Sequence, residues 1–171
     1  MRKAMLLMVM LFGVVSAVFA QPKIAVYMTG GNTPDEEKML VTAMTAALDK
    51  NRMFTHVEIG DDFQDVVAKE IRRQKGGSVD RVNQIVCKAG KQNNAEYVCI
   101  GDITYAFKST MISTRILDVE TVGTIAIGKV TIKAPNLNDF DGDDIIEYLE
   151  DAMKQMTPKV LKLLSEKGQL R

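Results

Sequence analysis

Apolar and polar positions along this chain fall into blocks, and the period of each block predicts an element. Lys23–Met28 (KIAVYM) is a short, nearly continuous apolar run, the pattern of a strand buried on both faces. Gly30-Gly31-Asn32 reads as the turn after it. Thr33 then predicts a helix N-cap, with Pro34 at the first helical position and Glu36 placed to complete a capping box. Leu40, Met44, Ala47 and Leu48 make that helix's apolar stripe, and Asn51-Arg52 ends it. Phe54–Ile59 alternates as a short second strand. Gly60-Asp61 opens a second helix with Phe63, Val66, Val67 and Ile71 on one face. Its last turn holds Arg72, Arg73 and Lys75, which suit the negative end of the helix dipole. Gly76-Gly77 breaks the run, and Ser78 or Asp80 caps a third helix that turns Val82, Ile85, Val86 and Ala89 inward. Gly90 and Asn93-Asn94 are its predicted end.

The chain is organised around Ala95–Val119. Tyr97-Val98-Cys99-Ile100 predicts a strand buried on both faces, followed by a bend through Thr104-Tyr105-Ala106 and a long strand over Ser109–Val119. Glu120–Gly123 is a turn and Thr124–Ile132 returns antiparallel, a hairpin. Pro135–Gly142 is an Asn- and Asp-rich loop. A final helix over about Asp143–Lys167 carries Ile146, Leu149, Met153, Met156, Val160 and Leu164 at helical spacing. Pro158 is expected to kink or restart it, with Thr157 as a new N-cap. The stripe serves packing on the sheet or, in the sharper alternative, a partner helix. The order β-α-β-α-α-β-β-β-α predicts an α/β fold with α+β character: a mixed sheet, helices on its faces, and a C-terminal antiparallel hairpin.

The N-terminus stands apart from this pattern. Arg2-Lys3 precedes an apolar run to Phe19, and Val18-Phe19-Ala20 places small residues where a signal peptidase cuts. Residues 1–20 therefore read as a secretory signal peptide and residues 21–171 as a single domain. The rival is an uncleaved anchor, for which the run is short against a span of ~20 residues. No Cys follows the cut, which argues against a lipoprotein and for a free periplasmic protein. Removal of Arg2 and Lys3 leaves 20 basic against 22 acidic residues, so no basic excess invites nucleic acid or an anionic membrane. No later stretch approaches the length of a membrane span.

Export permits a disulfide between Cys87 and Cys99. Cys87 falls near the end of a helix and Cys99 inside the following strand, about four residues either side of the turn. Four helical residues rise ~6 Å and four strand residues ~13 Å, with ~10 Å between layers. That exceeds the ~7 Å Cα limit for a bridge. Two free buried thiols are favoured, the disulfide being the alternative.

Chemistry is sparse. Gly30-Gly31 lies where phosphates are often cradled, yet it belongs to no phosphate-loop motif, and Asp35, Glu36 and Glu37 in the next helical turn repel anions. His56 is the only histidine, so any Ser-His-Asp or Cys-His mechanism must use it, and it sits mid-strand without a motif. One His and two Cys make no zinc pattern. Asn138, Asp139, Asp141, Gly142, Asp143 and Asp144 approach a calcium loop without meeting its spacing. Asp61-Asp62 with Asp102 would be the carboxylates of a two-acid hydrolase. Asp102 and Arg115 are charges on otherwise apolar strands, expected to pair with each other or to cap neighbouring elements. No catalytic residue, cofactor or metal is assigned.

Four stretches carry a family resemblance: KIAVYMTGG (Lys23–Gly31), KEIRRQKGGSVDRVNQI (Lys69–Ile85), EYVCIGDIT (Glu96–Thr104) and STRILDVET (Ser113–Thr121). In that order they resemble small exported proteins related to the CsgG family, a group similar in fold to the TolB N-terminal domain and to the penicillin-binding-protein activator LpoB. The resemblance covers most of Lys23–Ile132 and implies a β/α sandwich with no catalytic residues. The chain lacks the lipobox Cys common among CsgG and LpoB proteins, and the apolar alternating insertions CsgG uses for its barrel. The expectation is a non-enzymatic exported envelope module that binds a protein partner through exposed sheet or the C-terminal helix. The alternatives are a small-ligand or nucleotide module at Gly30-Gly31, and the two-carboxylate hydrolase.

Overall fold

The computed structural model describes residues 21–31, 33–57, 62–73, 78–133 and 142–169. Its elements are β1 (Lys23–Thr29), α1 (Pro34–Asn51), β2 (Thr55–His56), α2 (Asp62–Arg73), α3 (Val79–Gln92), β3 (Tyr97–Ala106), β4 (Ser109–Asp118), β5 (Thr124–Ile132) and α4 (Gly142–Glu166). They form one five-stranded mixed sheet in the order β2-β1-β3-β4-β5. β1 pairs parallel with β2 and β3, and β3-β4-β5 continue as an antiparallel meander. This is the predicted element order and fold class. The signal-peptide segment, Asp61, Lys75, the Gly76-Gly77 break and the loop carrying Asn138, Asp139 and Asp141 lie outside the described residues, as do the side chains of Phe63, Arg72 and Arg73.

Alternation along the strands sends side chains to two separate cores. On one face Ile24, Val26, Met28, Cys99, Ile112, Ile116 and Ile132 pack under α1 and α4. On the other, Ala25, Tyr27, Val98, Ile100 and Leu117 pack under α2 and α3. Thr33 is the N-cap of α1, its hydroxyl accepting from Glu36 N at 3.2 Å, and Arg52 ends the helix in the left-handed region at φ 51°. In α4, Leu149, Met153, Met156, Val160 and Leu164 are all buried.

Several expectations need correction. Ile145, not Ile146, is the fully buried start of the α4 stripe. Pro158 neither stops nor restarts α4, and Thr157 is no N-cap: its hydroxyl donates back to Met153 O at 2.8 Å within a continuous helix. Of the predicted Phe54–Ile59 strand, Thr55-His56 pair as β2, and Glu58 and Ile59 lie outside the described residues. β3 runs through Thr104–Ala106 without the predicted bend, because Thr104, Tyr105 and Ala106 pair with Met111, Thr110 and Ser109. Gly90 lies inside α3, where a Cβ would come within 2.6 Å of Val98 Cγ2; it is a packing glycine, and Asn94 at φ 59° turns the chain instead.

The two sheet edges differ. β2 is only a stub. β5 is long, and its middle is covered by α4: Lys129 N donates to Gln155 Oε1 at 3.0 Å and Gln155 Nε2 donates to Lys129 O at 2.8 Å. That clamp occupies the backbone groups an added strand would need at this position.

Candidate interaction surface

Among the described residues, the chemistry-bearing side chains of the sequence do not converge. Gly30 has φ 88°, and its N–H donates to Glu37 Oε1 at 3.1 Å. The turn therefore cradles a carboxylate of its own chain. His56 is half-buried on β2 opposite Ile24, with β1 between it and Cys99 on β3. Cys87 and Cys99 are free and buried, and they belong to the two opposite cores, so the sheet itself separates them. Burial, reinforced by the nearby Asp118 charge, pushes the Cys87 thiol up to about 11. Burial likewise raises Cys99 to about 12. Neither is a thiolate nucleophile at neutral pH. Asp143 and Asp144 are exposed in the first turn of α4, where they complement the helix dipole. Among the described residues no group of three or more His, Cys, Asp or Glu side chains could hold a metal. No described helix is long and apolar enough to cross a membrane.

Asp102 and Arg115 do not form the expected ion pair. Asp102 opposes Ser113 and is exposed, so it needs no partner. Arg115 Nε donates to Asn83 Oδ1 of α3 at 3.2 Å. The buried acids among the described residues are instead Glu36, whose Oε2 accepts from Tyr105 Oη at 3.0 Å, and Asp118, which sequence reasoning missed. Asp118 Oδ1 accepts from Glu120 N at 3.0 Å, Thr121 N at 2.8 Å and Thr121 Oγ1 at 3.1 Å, closing the turn after β4. Its Oδ2 takes Lys167 Nζ at 2.5 Å. The Lys167 ammonium also stands 5.3 Å from the Tyr97 ring centroid, and Tyr97 Oη donates to Gln169 Oε1 at 2.7 Å. Gln169 Nε2 donates to Glu96 Oε2 at 2.9 Å. The end of the chain is thus tied across the start of β3. The D-x-E-T spacing at Asp118–Thr121 is the local signal for the turn, but nothing local announces Lys167.

Burial alone would raise the Asp118 carboxyl, but hydrogen bonds from Lys167 and Thr121 outweigh it and hold it below the usual value. The hydrogen bond to Asp118 lifts Lys167 above its usual value. A depressed acid stabilises the fold above its unfolded pKa, and that contribution is lost as pH falls through the folded pKa. The raised lysine stabilises below its unfolded pKa, and that contribution is lost as pH rises through the folded pKa. Asp118→Asn is therefore expected to cost about 1 kcal/mol at pH 7, the half-exposed Lys167 limiting the loss. Urea midpoints of the two proteins should converge as the pH falls below the usual aspartate range and through the lowered Asp118 pKa. A difference unchanged at low pH would rule out the charge as its source.

The surface with most to offer a partner is the outer half of the sheet. α3 reaches only as far as Ile100 and Arg115, leaving three strands bare beyond it. The register lines up Thr104, Met111 and Thr131 in one row, Asp102, Ser113 and Lys129 in the next, and Arg115 with Ile127 at the foot of α3. Met111 is 38% and Ile127 50% exposed. Phe107, at the two-residue tip between β3 and β4, is 90% exposed with Lys108 Nζ 5.9 Å from its ring centroid. On the opposite side of the same strands α1 and α4 pack over the core, whereas among the described residues no helix covers this side.

No family model and no curated protein matches the chain. Solved structures do resemble it. The LpoB C-terminal domain from Salmonella enterica aligns over 74% of this chain and 91% of its own, at 16% identity and TM-score 0.45. A PelC dodecamer from Paraburkholderia phytofirmans aligns over 81% and 90%, at 12% identity and TM-score 0.48. TolB from Acinetobacter baumannii aligns over 78% of this chain but 27% of its own, at 16% identity and TM-score 0.46. These are likenesses of fold and say nothing of what this chain binds. The CsgG resemblance read from the sequence has no matching family model behind it.

Proposed function

We propose that this chain is a non-enzymatic, exported envelope protein that binds a protein partner through the bare half of its sheet. One observation carries the reading: Phe107, Met111 and Ile127 stand exposed on and beside one antiparallel surface, with Lys108, Lys129 and Arg115 among them. Large exposed apolar side chains gathered on one surface and fringed by charge are what protein interfaces use. Export is supported by the Arg2–Ala20 signal pattern. Absence of catalysis is supported by the raised thiols and by a lone histidine held on a stub strand beside Ile24. The inward stripe of α4 lies in the core, which supports the sheet over that stripe as the binding surface.

The test is a cross-linked pull-down of the tagged mature protein from intact host cells, run beside a Phe107→Ser/Ile127→Lys double variant. Both substituted sites are exposed, so the variant should melt within a few degrees of the parent. The parent should recover one dominant envelope protein, and the variant at least tenfold less, as expected when apolar anchors are removed. Equal recovery by both would refute the assigned surface.

A further inference from the structure

A second concave feature lies between α2 and α3, apart from the bare sheet. A cleft of about 470 Å³ runs between these helices. Its apolar floor includes Val66 and Ile85, and its rim carries Lys69, Arg81 and Lys88. The pattern of α2 places Val66 with the inward residues, yet it is 56% exposed and faces the cleft while Val67 is buried. Among the described lining residues, Glu70 is the one acid.

Lys50, Lys154, Lys162 and Lys167 are each joined to a carboxylate, of Glu150, Asp151, Glu166 and Asp118. Among the described residues no ion pair joins Lys69, Arg81 or Lys88 to an acid. Among the described residues, three cations and one acid thus line a cleft floored by exposed valine.

We infer that this cleft receives an acidic amphipathic helix from a partner protein. A furrow between two helices accepts a third by the same ridge-and-groove packing that builds bundles, its apolar face inward. Arg81 and Lys88 are seven residues apart on one face of α3, about 10 Å along the axis. Carboxylates at positions i and i+7 of the incoming helix match that spacing, and leucines at i+3 and i+4 fall over Val66 and Ile85. The concave, apolar-floored shape favours a helix over an anionic lipid surface, which would meet a cationic patch that is flat or convex. The inference is independent of the sheet surface, whose loss leaves this cleft intact.

The probe is a fluorescent synthetic helix with Glu at i and i+7 and Leu at i+3 and i+4, titrated by anisotropy against the full mature protein. Binding should weaken at least tenfold for a scrambled peptide of the same composition, at least tenfold for Lys69→Glu/Lys88→Glu, and at least tenfold for Val66→Asp. Phe107→Ser/Ile127→Lys should bind the probe like the parent. Circular dichroism should show all variants folded, the substituted side chains being exposed. Equal affinity for the scrambled peptide would overturn the proposal. So would full affinity in the charge-reversed variant, or binding to phosphatidylglycerol vesicles with none to the helix.

Discussion

Valine in place of Gly128 is expected to cost the fold about 3 kcal/mol or more, the upper end of what overpacking does. A Cβ at Gly128 would lie 2.3 Å from Ala152 O, 2.9 Å from Ala152 C and 3.1 Å from Ala152 Cα. These are backbone atoms of a helix, so no side chain can swing aside. To make room, α4 must lift from β5. That separation strains the Gln155 clamp on Lys129 and opens the layer formed by Ala126, Val130, Leu149 and Met153. The check is a urea midpoint compared with Thr131→Ala, an exposed change on the same strand that should move stability by no more than about 0.5 kcal/mol. If the two variants behaved alike, α4 would not sit against β5 as described.

Leu149→Ala is expected to cost about 3–4 kcal/mol. Leu149 is completely buried between α4, β5 and α1. Its truncation loses the transfer free energy of the removed carbons and adds the cost of a cavity that a close-packed layer cannot collapse. α4 is the cover for the β4-β5 half of its face, and α1 covers the β1 side, so a void between them loosens both. Ile127→Ala removes a similar side chain from the opposite, bare side and should cost well under 1 kcal/mol. The contrast between these two substitutions measures how one-sided the outer sheet is. Comparable losses would place a cover over Ile127 that the fold does not have.

What could be read from the sequence follows from how local each cause is. Thr33-Pro34 and the apolar stripe behind them define α1 without reference to anything else, and its bounds were legible to a residue. The antiparallel β4-β5 hairpin was legible for the same reason. The start of the α4 stripe was not, because Ile145 and Ile146 stand four and three residues before Leu149 and both spacings are helical. Only the sheet beneath chooses Ile145. Gly90 read as a helix end, since a lone sequence cannot show that Val98 crosses close beneath it. Asp118 was overlooked because its partner, Lys167, is 49 residues away. Asp102 and Arg115 looked like a buried pair because strand charges are costly when covered. The strands there are covered on one side only, and Asp102 stands on the open side.

The candidate surface itself was half legible. Met111 and Ile127 are apolar residues that alternation assigns to one face, but sequence alone gives that face a helix by default. Its emptiness emerges from the covers: α1 and α4 span one side, while on the other α3 is joined to the sheet as far as Arg115.

Photo-crosslinking in intact cells tests the central claim most directly. A benzophenone side chain would be introduced at Ile127, on the bare sheet, and separately at Lys162, on the exposed side of α4 where the lysine side chain is 79% accessible. A partner seated on the sheet predicts a discrete adduct from position 127 and none from position 162. Silence at 127, or the same adduct from both positions, would contradict it.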